Sequence, residues 1–307
     1  MGTFLENSLR VDASDGEQYR IIQFLGEGGN CQVYLAICTK GKWQGILFAI
    51  KFFTKTEDRD RLAQFEKERK FLSSIWHPCL MKIYSEGTHY ISTSNKRVPF
   101  VVCDYFPDRL DWKMKNKKLR HTEKLIYLTQ LLSALDFLAR HSFPIVHRDI
   151  KPQNIFLKGY TCVLGDFGLM KELDPAILVK DDDGEFLKHS KGAGMPKYYR
   201  TPDLVKYAKG EQSLTTASDI FQLGLVAAEM FTGQNPLKRS VNMLDTVELN
   251  DLNDVIGQDG KLIRDYIQKM LVFDPINRGK IDELLDGFDG ALRATTTKQI
   301  EIDGFAL

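Results

Sequence analysis

The sequence of 307 residues carries almost no net charge: 42 basic and 41 acidic side chains leave +1 at neutral pH. That balance speaks against nucleic acid and anionic membrane surfaces as partners, both of which select a basic footprint. Cysteines are few. The five (Cys31, Cys38, Cys79, Cys103, Cys162) are scattered, odd in number and never spaced as C-x-x-C. This excludes a disulfide framework or a cysteine zinc site and predicts reduced thiols in the cytoplasm. Long apolar runs are missing too: stretches such as "LGLVAAEMF" at 223–231 fall far short of a membrane span. The start, "MGTFLENSLR", lacks the hydrophobic core of a signal peptide, and Glu6 stands where a myristoylation signal needs Ser or Thr. There is no internal repeat and no low-complexity tract. What is present is 43% hydrophobic residues, enough for one large core or two smaller ones.

The first third reads as strands. "YRIIQFLG" (19–26) and "QVYLAIC" (32–38) flank a glycine-rich stretch, the pattern of a hairpin, and "GILFAIKFF" (45–53) is a third strand. From Asp58 to Trp76, Leu62, Phe65, Phe71, Leu72 and Ile75 fall roughly on one helical face, and His77-Pro78 ends the helix. "LMKIYSEG" (80–87) and "VPFVVCDYF" (98–106) complete a five-stranded antiparallel sheet with one helix. After Pro107 the pattern turns helical. "TEKLIYLTQLLSALDFLARHS" (122–142) predicts a long helix with Thr122 as N-cap, and further helices are expected at 217–233, 262–271 and 280–286.

The loop "VHRDIKPQNIFL" (146–157) holds an Asp, a Lys two residues on and an Asn five residues on; "DFG" follows at 166–168. "FAIK" ends in Lys51, "LGEGGNCQVY" (25–34) has the outline of a phosphate flap, and "TPD" at 201–203 precedes "DPINRGK". Alone, G-x-G-x-x-G is weak, and here Cys31 stands at the third glycine. In this order, from about Tyr19 to Ile281, the chain resembles the Hanks-type serine/threonine protein kinase family.

The resemblance implies an α+β, bilobal fold, with a small antiparallel β-sheet lobe holding one helix and a larger, mainly helical lobe. It divides the chain into an N-terminal arm (1–17), an N-lobe (18–106), a C-lobe (107–287) and a C-terminal tail (288–307). The tail's alternating apolar positions suit a sheet edge, disorder or a partner site equally well.

The resemblance also implies ATP and Mg²⁺ (Mn²⁺ as an alternative), because phosphoryl transfer depends on positioning and on neutralising charge. Asp149 would take or orient the substrate hydroxyl proton, and Lys151 would steady the γ-phosphate. Asn154 and Asp166 would ligate the metal. Lys51 would bind the α and β phosphates, held by a helix glutamate; counting back from His77-Pro78 selects Glu68 over Glu66. Leu25, Gly26, Gly28, Val33, Ala49, Asp104, Phe106 and Phe156 would surround the nucleotide, with Cys103 at the gatekeeper position. Leu72, Ile83, His147 and Phe167 would stack as in active family members. Asp219 would hold the catalytic loop, and Asp203 would pair with Arg278. Singly, each of these polar residues could instead be a cap, a turn former or a solvated surface group.

The segment from Asp166 to Asp203 departs from the family. "TPD" replaces Ala-Pro-Glu, "GAGMPKYYR" lacks the usual Gly-Thr, and "KDDDGEFLKHSKGAG" is long and polar. Ser190 is the only Ser or Thr between Phe167 and Arg200. Arg148 beside the catalytic Asp makes Ser190 a candidate phosphorylation switch, with an inert loop serine as the alternative. Cys31 is a candidate redox sensor or a tolerated small residue. The expected activity is phosphorylation of protein hydroxyls, on substrates that could include the kinase itself, with the oligomeric state open. A kinase-fold scaffold without catalysis, or a small-molecule phosphotransferase, are the competing readings.

Overall fold

A computed structural model describes residues 5, 8–28, 30–92, 95–117, 119–173, 199–208, 210–238, 248–252 and 260–303. The chain divides into two compact units, Met1–Pro107 and Asp108–Leu307.

The first unit is a six-stranded antiparallel sheet: β1 (Arg10–Asp12), β2 (Gln18–Glu27), β3 (Cys31–Lys40), β4 (Leu47–Phe53), β5 (Ile83–Ile91) and β6 (Lys96–Asp104), ordered β1-β2-β3-β4-β6-β5. The sixth strand comes from residues read as an arm. Val11 pairs with Tyr19 and is fully buried, and Leu5 joins the same core. "RVD" is too short for a period-2 signal to stand out; a single buried Val and edge pairing make it a strand. One face of the sheet buries Tyr19, Ile21, Tyr34, Phe48, Ile50, Phe52, Phe100 and Val102.

Because side chains alternate along a strand, the odd-numbered residues of β4 must face the other way. Register then aligns Val33, Lys51 and Val101 in one row and Leu35, Ala49 and Cys103 in the next. Against this unit runs α1 (Arg59–Ser74), capped by the Asp58 carboxylate accepting from Arg61 N at 3.1 Å. It buries Phe65, Glu68, Phe71 and Leu72 and ends at Ile75.

The second unit begins with β7 (Asp108–Arg109), α2 (Leu110–Asn116) and α3 (His121–Ala139). The cap of α3 lies two residues before Thr122: Glu123 reaches back to accept from the Arg120 amide at 2.9 Å, and Lys113 neutralises it at 2.7 Å. Short strands follow: β8 (Ile145–Val146), β9 (Ile155–Lys158), β10 (Thr161–Leu164) and β11 (Lys171–Glu172). They pair as β10-β9-β7 and β11-β8. After α4 (Pro202–Ala208) comes α5 (Ala217–Thr232), buried on nearly every side and ended by Gly233 at φ 83°.

Helix α6 (Gly260–Met270) precedes α7 (Ile281–Asp303), which runs through most of the stretch read as a tail. Leu284, Phe288 and Ala291 form its buried stripe at helical spacing. Gly287 is tolerated inside it because a Cβ there would strike the Tyr266 ring at 2.2 Å.

Candidate active site

In the first unit, Lys51 occupies the centre of β4 on the face opposite the aromatic core. Its Nζ donates to both carboxylate oxygens of Glu68, at 3.1 and 3.3 Å. Glu68 projects from the buried face of α1, while Glu66 pairs with Arg69 instead. Half-buried partners of this kind fix a lysine's position more than they stabilise the fold.

The β2–β3 hairpin rises beside them. Gly26 pairs with Val33, and Gly28 N donates to Cys31 O at 2.9 Å, closing the turn. A Cβ at Gly26 or Gly28 would meet none of the described residues within 4 Å. Cys31 is buried with Phe53, Phe65, Val101 and Cys103, so a core contact explains why a side chain replaces glycine there. Cys103 is also buried, which pushes its thiol up to about 12. Both are enclosed in an apolar setting that suits packing better than redox chemistry. Leu25 is exposed, and Tyr84 donates to the Asp104 side chain at 2.9 Å. Leu72 is buried in α1, and Ile83 is partly buried at the start of β5.

In the second unit, the loop between β8 and β9 carries Asp149, 6% exposed. Lys151 Nζ donates to both its oxygens at 2.9 and 2.7 Å, and Asn154 Nδ2 donates to Oδ2 and to the Asp149 carbonyl, each at 2.8 Å. Burial raises Asp149 to about 6, with Lys151 pulling in the opposite direction. The Gly165 amide donates to Asn154 O at 2.9 Å, which sets Asp166 next to Asn154. Asp166 is exposed between two buried neighbours and sits at φ 62°; Arg148 sits at φ 67°. Left-handed backbone at two non-glycine residues is strained and must be held from outside.

At Arg148, Asp219 supplies that hold, accepting from His147 N at 2.7 Å and Arg148 N at 2.9 Å. Burial raises it to about 7, and the two amides oppose that shift. The His147 ring packs edge-on against Phe167 with centroids 4.5 Å apart. Phe156 lies in β9, opposite Val163 of β10 and Arg109 of β7.

The structure and the sequence relatives agree. The family model "Protein kinase domain" matches residues 19–287. A probable serine/threonine-protein kinase of Dictyostelium discoideum is 32% identical over 222 residues, covering 71% of this chain and 12% of its own. Sucrose non-fermenting protein kinase 1 of Fusarium virguliforme is 27% identical over 87% of this chain and 35% of its own. The probable serine/threonine-protein kinase PknB of Bifidobacterium longum is 29% identical over 72% of this chain and 31% of its own.

This chain belongs to the protein kinase family. It spans at most about a third of the length of these three relatives.

Two further features of the kinase domain are structural. Arg278 lies 2.8 Å from Asp203, both side chains wholly buried, yet the guanidinium donates its aligned hydrogen bonds to the carbonyls of Val272, Ala217 and Phe273. The pair is therefore an ionic contact, and neither Asp203 oxygen has an aligned donor among the described residues. Thr201 caps α4, accepting from Leu204 N at 3.1 Å, and bonds Ser218 at 2.9 Å. Ser190 lies outside the described residues.

Sequence reasoning passed over Gln222. It is wholly buried in α5 and bonds the backbone at Arg148, Ile150 and Tyr199. The available signal was an amide inside "SDIFQLGLVAAEMF", three residues after Asp219 and otherwise among apolar neighbours.

Proposed function

We propose that the chain is an ATP-dependent protein serine/threonine kinase that moves the γ-phosphate onto protein hydroxyls. The observation that carries this reading is the Asp149 carboxylate, buried yet held between Lys151 and Asn154 in a loop anchored to α5. A carboxylate raised to about 6 is ionised at neutral pH and is still basic enough to accept a hydroxyl proton.

ATP, when bound with a divalent cation, supplies the phosphoryl group and spreads its charge over the metal. Asn154 and Asp166 fit such a cation. They offer two hard oxygen donors on adjacent backbone, and no cluster of three metal-ligating side chains occurs among the described residues. With only Asn154 and Asp166 to hold it, such a cation would be Mg²⁺, which is commonly bound through few protein ligands, with Mn²⁺ an alternative. Lys51, oriented by Glu68, would meet the α and β phosphates, and Lys151 the transferring group. The open space over Gly26 and Gly28 would let backbone amides approach the phosphates. Leu25, Val33, Ala49, Asp104, Phe106 and Phe156 would frame the adenine.

Protein substrates, the kinase itself among them, follow from this reading, as does regulation through phosphorylation of Ser190 toward Arg148. Location in the cytoplasm is supported by five buried cysteines, none of them joined in a disulfide. The intact ion pair at Lys51 and the intact loop argue against a scaffold without catalysis. Incubation with labelled ATP and Mg²⁺ against a basic protein and a panel of small alcohols tests the activity. Label on serine or threonine of protein is expected. Label on the alcohols alone would overturn the reading.

A further inference from the structure

Residues 147–150 belong to no strand or helix, so their backbone groups need other partners. Asp219 takes the amides of His147 and Arg148, and the His147 ring takes that of Asp149 at 3.3 Å. The Asp149 carbonyl is taken by Asn154, and the Ile150 amide and Arg148 carbonyl fall to Gln222, one turn further along α5. Its Oε1 accepts from Ile150 N at 2.9 Å, and its Nε2 donates to Arg148 O at 3.0 Å and to Tyr199 O at 2.9 Å. A primary amide has two N–H bonds and one carbonyl, and here both kinds of group are used. Turning the amide over would set oxygen against two carbonyls and N–H against N–H. Asparagine would be one methylene short, and an ionised glutamate would face two carbonyl oxygens with no proton to give.

The targets matter more than their number. Arg148 O and Ile150 N bracket Asp149 on either side, while Tyr199 lies near the end of the segment that runs from Asp166 to Asp203. We infer that Gln222 is a positioning residue that couples the catalytic loop to the end of the activation segment. The placement of the Asp149 carboxylate then depends on Tyr199 being seated. This deepens the reading of Asp149 as proton acceptor and rests on it. A buried amide satisfied on every side holds a single arrangement, whereas one deprived of a partner loosens the groups around it.

Gln222→Met, equal in length but unable to make these bonds, tests the coupling, with Gln222→Glu as the second variant and Asp149→Asn in the same series. The first readout is amide hydrogen exchange at Ile150, which needs no activity. In Gln222→Met that amide should exchange at least about tenfold faster while the α5 amides keep their protection. The second readout is kinetic: kcat should fall roughly 10²-fold with the KM for ATP within about twofold, since Lys51 and Glu68 are untouched. Unchanged Ile150 exchange overturns the coupling, and so does loss of protection through all of α5, which would mark a purely structural role. If Gln222→Met does not fold, Gln222→Glu decides: protected Ile150 with reduced kcat supports the coupling, and wild-type kcat sinks it. Activity surviving in Asp149→Asn would instead sink the reading of Asp149 and leave the exchange result standing.

Discussion

His147 shows what one buried side chain can report. Its ring accepts from the Asp149 amide at Nδ1 and so presents a proton at Nε2 to the Gly165 carbonyl, 3.2 Å away. Protonating Nδ1 would set two donors against each other, and burial, only partly opposed by Asp166 and the Gly165 carbonyl, pushes the imidazole down to about 4. Between pH 6.5 and 4 the unfolded chain therefore binds a proton that the folded one refuses, and stability falls as pH falls. Asp149 and Asp219, both raised by burial, act with the opposite sign in the same window, so only a difference isolates the histidine. Urea unfolding at pH 7 and pH 4.5 should show wild type losing about 2 kcal/mol more than His147→Phe. Equal losses would contradict a neutral, buried His147.

Lys51 gives the second prediction at this scale. Glu68→Gln keeps the shape of the side chain but removes the charge that holds Lys51. Phosphotransfer should drop roughly 10²-fold, as misplacement of a positioning group commonly costs. Thermal unfolding should scarcely move, since a partly exposed pair adds little to stability. Steady-state kinetics beside a melting curve separates the two.

Among elements, the buried pair between α4 and the turn before α7 carries the clearest energetic claim. Asp203 and Arg278 are both wholly buried, and removing one leaves the other charge uncompensated. Arg278→Met should cost about 3–5 kcal/mol in urea unfolding, and Arg278→Met combined with Asp203→Leu should recover a large part of it. Additive losses would contradict the pairing. Strand β1 makes a different claim. Deleting residues 1–13 removes the edge strand paired to β2 together with Leu5 and Val11 from the core, so the melting temperature should fall by several degrees. An unchanged melting temperature would mean that the strand adds nothing.

These same elements show what a sequence can and cannot tell. The strands around Lys51 and helix α1 were legible because period-2 and period-3.6 patterns extend over seven residues or more. β1 was not, since three residues with one buried side chain carry no period. The helix expected at 280–286 stops just before Gly287 and Gly290, whereas α7 runs on through both, with the Tyr266 ring filling the space over Gly287. At the candidate site, "HRDIKPQN" and "DFG" stand out by spacing. Gln222 does not: its partners lie 72 to 74 residues away in the loop and 23 away at Tyr199, distances that only the fold closes.

At the scale of the whole molecule, the account rests on two units, each with a prepared set of groups: Lys51 with Glu68 in the first, and Asp149 with Lys151, Asn154 and Asp166 in the second. Neither set is accounted for by packing. Partly exposed Lys51 contributes little to its core, and buried Asp149 costs stability because its ionised form is removed from water. Groups kept against their own solvation preference are the mark of a working site. The most direct test is transfer of labelled γ-phosphate from ATP with Mg²⁺ to a basic protein by purified wild type and by Asp149→Asn, with ATP binding measured for both. The account predicts label with wild type, loss of at least roughly 10³-fold in the variant, and ATP affinity within about twofold. Equal transfer by both proteins, or none by wild type that binds ATP, would contradict it.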